Sequence, residues 1–160
     1  MVSVNQNIFQ FAGKIDSYLA ADLADFIRNS LLRAGISFTF ETVMSHEGKL
    51  DFFRFARELD YKVYLYYIAT EDPDINISRV KLRVFKNGHP VSDEAIKKRY
   101  YKSLKNLREA VKLCYRTYLF DNSGKVAELI AEVKQGTDLH LIDPDRVPLW
   151  VEQYLLQIDN

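Results

Sequence analysis

The sequence predicts an α/β protein in three layers, with a mainly parallel sheet flanked by helices. Two observations carry this prediction. Segments with helical periodicity alternate along the chain with short runs rich in β-branched and aromatic residues. The run over 61–69, YKVYLYYIA, is nearly continuous in apolar and aromatic character, which is typical of a strand covered on both faces. At 160 residues and 48% hydrophobic content, the chain fits a single domain with its own core.

The first half of the chain contains two predicted helices and two predicted strands. Apolar residues at helical spacing predict a helix over 15–33, and Gly35 ends it. The sequence SFTFETV then predicts a strand over 36–43. A second helix is expected over 50–59, before the strand at 61–69. Residues 1–15 form an atypical arm, whose segment 8–11 fits a short strand, a helix turn or an irregular arm.

The second half begins with a helical region and ends with a β-hairpin. A helix over 75–84 stops at Asn87-Gly88, and Ser92 caps a long helix that runs to about residue 113. A strand over 117–120 is closed by the turn sequence DNSG at 121–124. Segments 126–133 and 139–142 flank Gly136 as a predicted hairpin, although the first segment also fits a helix. A short helix over 148–158 completes the C-terminal region 124–160.

Composition and charge exclude several classes of protein. The chain has 22 Lys and Arg against 22 Asp and Glu, so its net charge favours neither a nucleic-acid partner nor a membrane partner. A single cysteine rules out a disulfide framework and a multi-cysteine zinc site. No apolar run reaches the length of a membrane span, and the N-terminus lacks the pattern of a secretory signal. We therefore expect a cytoplasmic protein.

Candidate site residues follow the predicted strands, because ligands of open α/β sheets bind beyond the carboxyl ends of the strands. Three segments occupy such positions, 41–46, 70–74 and 121–124. Glu41 ends a predicted central strand, where a carboxylate can hold a magnesium-bound water, a substrate hydroxyl or a basic side chain; the alternative is a capping or solvated loop residue. His46 lies just beyond and has the chemistry of an acid or base. Without a nucleophile or a second histidine at ligand spacing, a loop or capping role suits His46 better.

A cluster of cations surrounds the turn KNGHPVSDE. Two interpretations compete: a solvated face of two charged helices, or a lid that brings arginine side chains over a phosphate. The spacing alone favours the solvated face. The chain contains neither GxxxxGK[ST] nor GxGxxG, so it has no self-contained phosphate-binding loop. The cluster consists of Arg79, Lys81, Arg83, Lys86, Lys97, Lys98, Arg99 and Lys102.

Several long segments resemble, in order, the later part of the zeta-toxin family of P-loop kinases, in its chromosomal branch of predicted ABC-type ATPases. They are SFTFETVMSH (37–46), YKVYLYYIATEDPDINISRVKLRV (61–84), GHPVSDEAIKKRYYKSLKNL (88–107) and RTYLFDNSG (116–124). With the preceding helix, the similarity covers most of residues 17–133. The resemblance implies one zeta-toxin-like domain over 1–160, with a helical lid at 75–113.

The resemblance also implies a function and a set of residues. Known members use ATP and Mg to phosphorylate UDP-N-acetylglucosamine, so a nucleotide or nucleotide sugar is the implied ligand and an antitoxin a possible partner. Glu41 matches the family's active-centre carboxylate, and Thr42, His46 and His89 are the residues of a possible pocket. The lid arginines that contact phosphates are matched by Arg79, Arg83 and Arg99. His89 matches a recurrent lid position of unclear role.

The sequence departs from this family at its N-terminus. The family's phosphate-binding loop, with its Lys and Ser/Thr, and the Asp that acts as general base have no counterparts here. Phosphoryl transfer depends on those groups, so we expect a truncated kinase that is inactive alone. The alternatives are a non-catalytic nucleotide- or protein-binding module and the C-terminal half of a split kinase.

The missing segment also leaves a gap in the implied sheet. The family's phosphate-loop strand lies between the strands matched by 36–43 and 61–69. Removing a central strand leaves two rows of backbone groups without partners. Three fillers are possible: residues 7–12, a second copy of the chain through self-association, or a separate N-terminal fragment. We favour a sheet that is rearranged or completed by the chain itself.

Overall fold

A computed structural model describes residues 17–157, which divide into two compact units, residues 17–40 and residues 41–157. The protein is α/β, with an open four-stranded mixed sheet and five helices in this part of the chain. The helices are α1 (Ser17–Arg33), α2 (Gly48–Glu58), α3 (Pro73–Phe85), α4 (Asp93–Leu113) and α5 (Leu149–Val151). The strands are β1 (Tyr64–Ala69), β2 (Arg116–Asp121), β3 (Glu128–Lys134) and β4 (Asp138–Leu141).

Helix α1 dominates the described part of the first unit and confirms the predicted helix. It ends as predicted at Gly35, which adopts a left-handed φ of 71°. The N–H groups of Gly35 and Ile36 donate to the carbonyls of Leu32 and Leu31, both at 3.1 Å. This paired arrangement satisfies two carbonyls of the last turn. The predicted arm over residues 1–15, including segment 7–12, lies outside the described residues.

The strand predicted over 36–43 is wrong, because residues 36–45 adopt neither helix nor strand. A local turn forms near the end of this segment. The Met44 N–H donates to Thr42 Oγ1 at 3.2 Å, and Met44 itself has a left-handed φ of 58°. A side chain that bonds to the backbone two residues away competes in this way with strand pairing.

The sheet order β1-β2-β3-β4 is sequential, and only β1 and β2 are parallel. Strand β3 is antiparallel to β2, and β4 is antiparallel to β3. The prediction of a mainly parallel sheet is therefore wrong. The connection over 122–127 is too short for a crossover, so the chain turns back beside β2 in the antiparallel direction.

Strand β1 buries one face and exposes the other. The buried face includes Tyr67, whose hydroxyl is 2.9 Å from Ser103 Oγ on α4 and whose ring lies 5.9 Å from that of Trp150. On the other face, Tyr66 is 63% exposed and stacks on Tyr118 of β2 at 5.0 Å. The expectation of a strand covered on both faces, within three layers, is wrong for β1. Tyrosine accounts for the mismatch, because its hydroxyl lets an otherwise apolar ring face water.

Helices α3 and α4 form a helical hairpin over residues 73–113 (the α3–α4 hairpin), at the predicted lid region. Asp72 caps α3 by accepting the Asp74 N–H at 2.7 Å, and Ser92 caps α4 by accepting the Ala95 N–H at 3.2 Å. The left-handed residue that ends α3 is Asn87, with a φ of 65°. Capping by Ser92 and the end of α4 at residue 113 are confirmed.

The C-terminal hairpin is confirmed as β3 and β4, so the helical alternative for 126–133 is wrong. Gln135 and Gly136 both have positive φ values, 51° and 75°, as a tight hairpin turn requires. The predicted C-terminal helix begins one residue later than expected, as α5, and continues as a π-helical turn over Glu152–Leu156. Among the helices seen between residues 17 and 157, none is long and apolar enough to cross a membrane.

Candidate functional site

Two of the three predicted site segments meet at the carboxyl ends of β1 and β2. The Asn122 N–H donates to the Ala69 carbonyl at 2.7 Å, which continues the parallel pairing into the loops. The Glu71 N–H donates to Ser123 Oγ at 2.8 Å. Because both loops leave the same edge of the sheet, segments 70–74 and 121–124 form one polar surface, as the topology of the strands predicts.

Asp121 is the most constrained carboxylate of this surface. It accepts hydrogen bonds from the Ser123 N–H at 3.2 Å and from the Ser123 hydroxyl at 2.9 Å. Trp150 Nε1 donates to the same carboxylate at 3.3 Å. These donors hold Asp121 against its own loop and against α5, which gives this carboxylate a positioning role in the structure.

Thr70, in the loop that follows β1, takes part in three hydrogen bonds. Its carbonyl accepts from the Tyr100 hydroxyl at 2.7 Å, and its own hydroxyl accepts from Asn76 Nδ2 at 2.9 Å. The Thr70 hydroxyl in turn donates to the Asp72 carbonyl at 3.1 Å. Burial raises the pKa of the Tyr100 phenol above its usual range, so this side chain remains a hydrogen-bond donor at every physiological pH. The network joins β1 to both α3 and α4.

A cavity of about 400 Å³ opens beside these loops. Four carboxylates and one guanidinium line it, together with apolar side chains from β3 and the segment before α5. This charge balance repels phosphate groups. Within residues 17–157, no group of three or more His, Cys, Asp or Glu side chains has the arrangement of a metal site. The charged lining residues are Glu71, Asp121, Glu128, Asp143 and Arg146.

The three arginines matched to the family's phosphate ligands have different environments. Arg79 is half-buried, and its Nη2 donates to the Gly124 carbonyl at 3.1 Å, so it ties α3 to the DNSG turn. Arg83 and Arg99 are exposed, on α3 and α4 respectively. In the described part of the chain, neither of these two guanidinium groups has a carboxylate within 4.0 Å. His89 is also exposed, in the loop that joins the two helices.

Two other residues of the cation cluster form ion pairs between α3 and α4. Lys81 Nζ lies 2.9 Å from Asp93 Oδ2 at the start of α4. Lys97 Nζ lies 2.9 Å from Asp74 Oδ1 at the start of α3. Hydrogen bonding and attraction to the Asp74 carboxylate raise the pKa of Lys97. Both pairs are exposed and contribute little to stability, but they orient the two helices relative to each other.

The third predicted segment, 41–46, contacts α4 at a different position along the helix from the loop after β1. Asn106 Nδ2 donates to the Met44 carbonyl at 2.8 Å. Tyr100, which bonds to the β1 loop, lies six residues earlier on α4, a separation of about 9 Å along the helix axis. Glu41 itself is exposed on this segment. The structure thus anchors Met44, three residues after Glu41, and the loop after β1 to separate positions along α4.

Thr42 and His46, two residues of the possible pocket, make local hydrogen bonds. Thr42 Oγ1 is occupied by the Met44 N–H, and His46 Nδ1 accepts the Gly48 N–H at 3.1 Å. The His46 contact caps the first turn of α2, as in the capping alternative considered from the sequence. Sequence reasoning did not single out Tyr100 or Trp150, since an aromatic residue on an amphipathic helix carries no signal of its hydrogen-bond partner.

Comparison with known proteins adds one partial similarity. The chain is 30% identical over 69 residues to an uncharacterized protein of Haemophilus influenzae (strain ATCC 51907 / DSM 11121 / KW20 / Rd). The matched residues are 43% of this chain and 49% of that protein, so the chain spans about half the length of the curated relative it matches. No family model and no solved structure matches the chain.

Proposed function

We propose that this chain is the phosphate-binding part of a zeta-toxin-like kinase, which binds a nucleotide or nucleotide sugar without transferring phosphate by itself. The proposal rests on the resemblance of residues 17–133 to that family and on one structural observation. The α3–α4 hairpin presents two arginines, Arg83 and Arg99, whose guanidinium groups are exposed and have no carboxylate partner among the described residues. A guanidinium in this state is available to a phosphate.

The charge of the hairpin supports the proposal. Residues 73–102 contain eight Lys and Arg against three Asp and Glu, although the whole chain is neutral. The surface potential is therefore positive here and attracts a polyphosphate. The acidic cavity beside the DNSG turn is unsuited to phosphates, so the hairpin is the better candidate for the ligand's charged end.

ATP and Mg, the cofactors implied by the resemblance, fit this surface unequally. The planar guanidinium group of an arginine can donate two hydrogen bonds to the oxygens of one phosphate. A metal ion has no ready-made set of three protein ligands in residues 17–157. We therefore expect Mg to arrive with the phosphates of ATP, and the hairpin to bind the complex through the phosphate oxygens that the ion leaves free.

Titration calorimetry of the purified chain with MgATP tests the proposal, with a thermal melt alongside. We expect saturable binding, and a Tm that rises with ligand concentration because the ligand binds the folded state. The double variant R83A/R99A should bind about tenfold more weakly or worse, since each lost charged hydrogen bond is worth roughly 1.5–3 kcal/mol. Its melting temperature without ligand should equal that of the wild type, because both side chains are exposed.

A matched control separates a phosphate site from general electrostatics. The double variant R54A/K134A removes the same charge from exposed positions on α2 and β3. It should bind MgATP as the wild type does. Absence of binding at millimolar MgATP, or an equal loss in both double variants, would contradict the proposal.

A further inference from the structure

The acidic cavity beside the DNSG turn lies beyond the carboxyl ends of β1 and β2, where open α/β sheets bind their ligands. Its volume of about 400 Å³ falls within the range of small-molecule sites, roughly 300–1,000 Å³. Four parts of the chain build its walls: the loop after β1, the end of β2, the start of β3, and the segment 142–148 between β4 and α5. The cavity therefore has room for an organic ligand.

Hydrogen bonds fix the segment 142–148 at both of its ends. The Ile142 N–H donates to the Ile130 carbonyl at 2.9 Å, which attaches the start of the segment to β3. Directly after the segment, the Leu149 N–H donates to Glu71 Oε1 at 3.3 Å, in the loop after β1. The walls of the cavity are thus tied to the sheet, so the site is formed without a ligand.

The charges that line the cavity are poorly neutralised within the protein. Four carboxylates against one guanidinium leave an excess of three negative charges. Within residues 17–157, the Glu128 carboxylate forms no hydrogen bond or ion pair, and the Asp143 carboxylate accepts only the Asp145 N–H, at 3.1 Å. The guanidinium of Arg146 has no carboxylate within 4.0 Å in the same part of the chain. The electrostatic potential of the cavity therefore favours a cationic ligand.

The arrangement of the carboxylates distinguishes an organic cation from a metal ion. A bound Ca²⁺ or Mg²⁺ needs several oxygen atoms that converge to within about 2.0–2.6 Å of one point. The described residues contain no such group of three or more acidic side chains. Carboxylates on separate walls suit a ligand whose positive charges are spaced along a chain. Five apolar side chains that also line the cavity can contact the methylene groups of that chain: Leu129, Ile130, Ile142, Val147 and Pro148.

We propose that this cavity binds an aliphatic polyamine, with its ammonium groups on the carboxylates and its methylene chain against the apolar side chains. Glu128 and Asp143 are the principal partners, because their carboxylates have the fewest competing contacts in residues 17–157. A triamine such as spermidine carries three positive charges, which match the excess negative charge of the lining. The proposal does not depend on phosphate binding, which the Arg83 and Arg99 substitutions test separately.

Titration calorimetry of the full chain with spermidine at low ionic strength tests the proposal. We expect saturable binding at one site, which weakens as NaCl is added because the charge pairs are open to solvent. Putrescine, a diamine, loses one ammonium contact and should bind about threefold more weakly or worse. Calcium chloride at the same concentrations should give no binding. Calcium that binds as tightly as spermidine would overturn the proposal, because the site would then be one for a metal ion.

Two double variants separate the cavity from general attraction of cations. E128Q/D143N keeps the shape of both side chains and removes two charges, and should bind spermidine about five- to tenfold more weakly. E58Q/E94Q removes the same charge from exposed positions on α2 and α4 and should bind as the wild type does.

A thermal melt without ligand checks the fold of each variant. If E128Q/D143N is destabilised, E128Q alone serves as the test, because Glu128 has no hydrogen bond to lose in residues 17–157. The single variant should then bind spermidine about threefold more weakly. Absence of saturable binding at roughly millimolar spermidine would overturn the proposal, as would an equal loss of affinity in the cavity variant and in E58Q/E94Q.

Discussion

Tyr67 shows how one side chain joins the sheet to two helices. It lies on the buried face of β1, with its hydroxyl 2.9 Å from Ser103 Oγ on α4 and its ring beside Trp150. Burial raises the pKa of the Tyr67 phenol to about 12, while the hydrogen bond with Ser103 opposes this shift. The ionised phenolate is therefore disfavoured in the folded protein relative to the unfolded chain.

This shift predicts a loss of stability in alkali. An unfolded tyrosine ionises near pH 10, whereas Tyr67 in the folded state ionises near 12. Its contribution is complete below pH 10 and is lost as the pH rises from 10 to 12. The loss should reach roughly 3 kcal/mol, since one pKa unit corresponds to about 1.4 kcal/mol.

The variant Y67F removes the titrating group and keeps the ring, and urea unfolding at a series of pH values measures the effect. Its free energy of unfolding should fall less steeply above pH 10 than that of the wild type. Y66F, on the exposed face of β1, is the matched control and should keep the wild-type slope. The buried Cys114 thiol, whose pKa is raised to about 12 by burial, contributes equally in all three proteins. Equal slopes in Y67F and Y66F would contradict the assignment.

Among the elements, the β3–β4 hairpin depends most on a single glycine. Gly136 has a φ of 75°, in the left-handed region, and a Cβ at this position would lie 2.8 Å from both Cα and O of Lys112 at the end of α4. Real Cβ atoms do not approach a backbone so closely. The hairpin turn therefore packs against the end of α4 only because residue 136 has no side chain.

We expect G136A to destabilise the protein by about 2–4 kcal/mol, from the left-handed conformation and the contact with α4 together. Gly124 offers a matched control, because a Cβ there would have only the Val126 carbonyl nearby, at 3.9 Å. G124A should change the free energy of unfolding by no more than about 0.5 kcal/mol. Chemical denaturation of both variants checks the difference, and a stable G136A would show that the turn can move away from α4.

At the scale of the whole molecule, the unit of residues 41–160 has one core in which sheet and helices meet. Its largest fully buried side chains come from α4, β2 and α5, and each has a relative exposure of 2% or less. They are Leu104, Leu107, Thr117, Leu119 and Val151. Loss of volume at any of them removes contacts from several elements at once. Stability is therefore expected to be cooperative across this unit.

The variant L119A should lower the free energy of unfolding by about 2–5 kcal/mol, because Leu119 is fully buried on β2 and its truncation leaves a cavity. The same change at Leu82, 64% exposed on α3, should have an effect within about 0.5 kcal/mol. Calorimetric or urea unfolding of both variants provides the comparison. A small effect of L119A would mean that β2 is not part of the cooperative core.

The neutral composition also conceals a separation of charge that appears only in three dimensions. The α3–α4 hairpin concentrates cations, whereas carboxylates from the loop after β1, from β2, from β3 and from the segment before α5 gather around one cavity. The sequence places the cations together because they are close along the chain. The carboxylates are distant along the chain, so only folding brings them together.

The sequence by itself determined the features that depend on neighbouring residues. Gly35 ends α1, Ser92 starts α4, and the hairpin turns at Gly136, because capping and turn geometry involve contacts a few residues apart. The α/β class also followed from local periodicity. The hypothesis of a zeta-toxin-like phosphate-binding chain comes from the sequence as well, and the arginine substitutions will test it.

Tertiary structure alone decided the features that depend on partners far along the chain. The strand expected at 36–43 gave way to a turn at Met44, and the sheet became mixed because β3 returned beside β2. The pattern of β1 indicated burial on both faces, yet Tyr66 lies in solvent on one of them. The hydrophobic pattern of a strand indicates which faces the strand can bury. Which faces are in fact buried depends on the elements that pack against the strand. Those long-range contacts are not encoded in the local spacing of apolar residues.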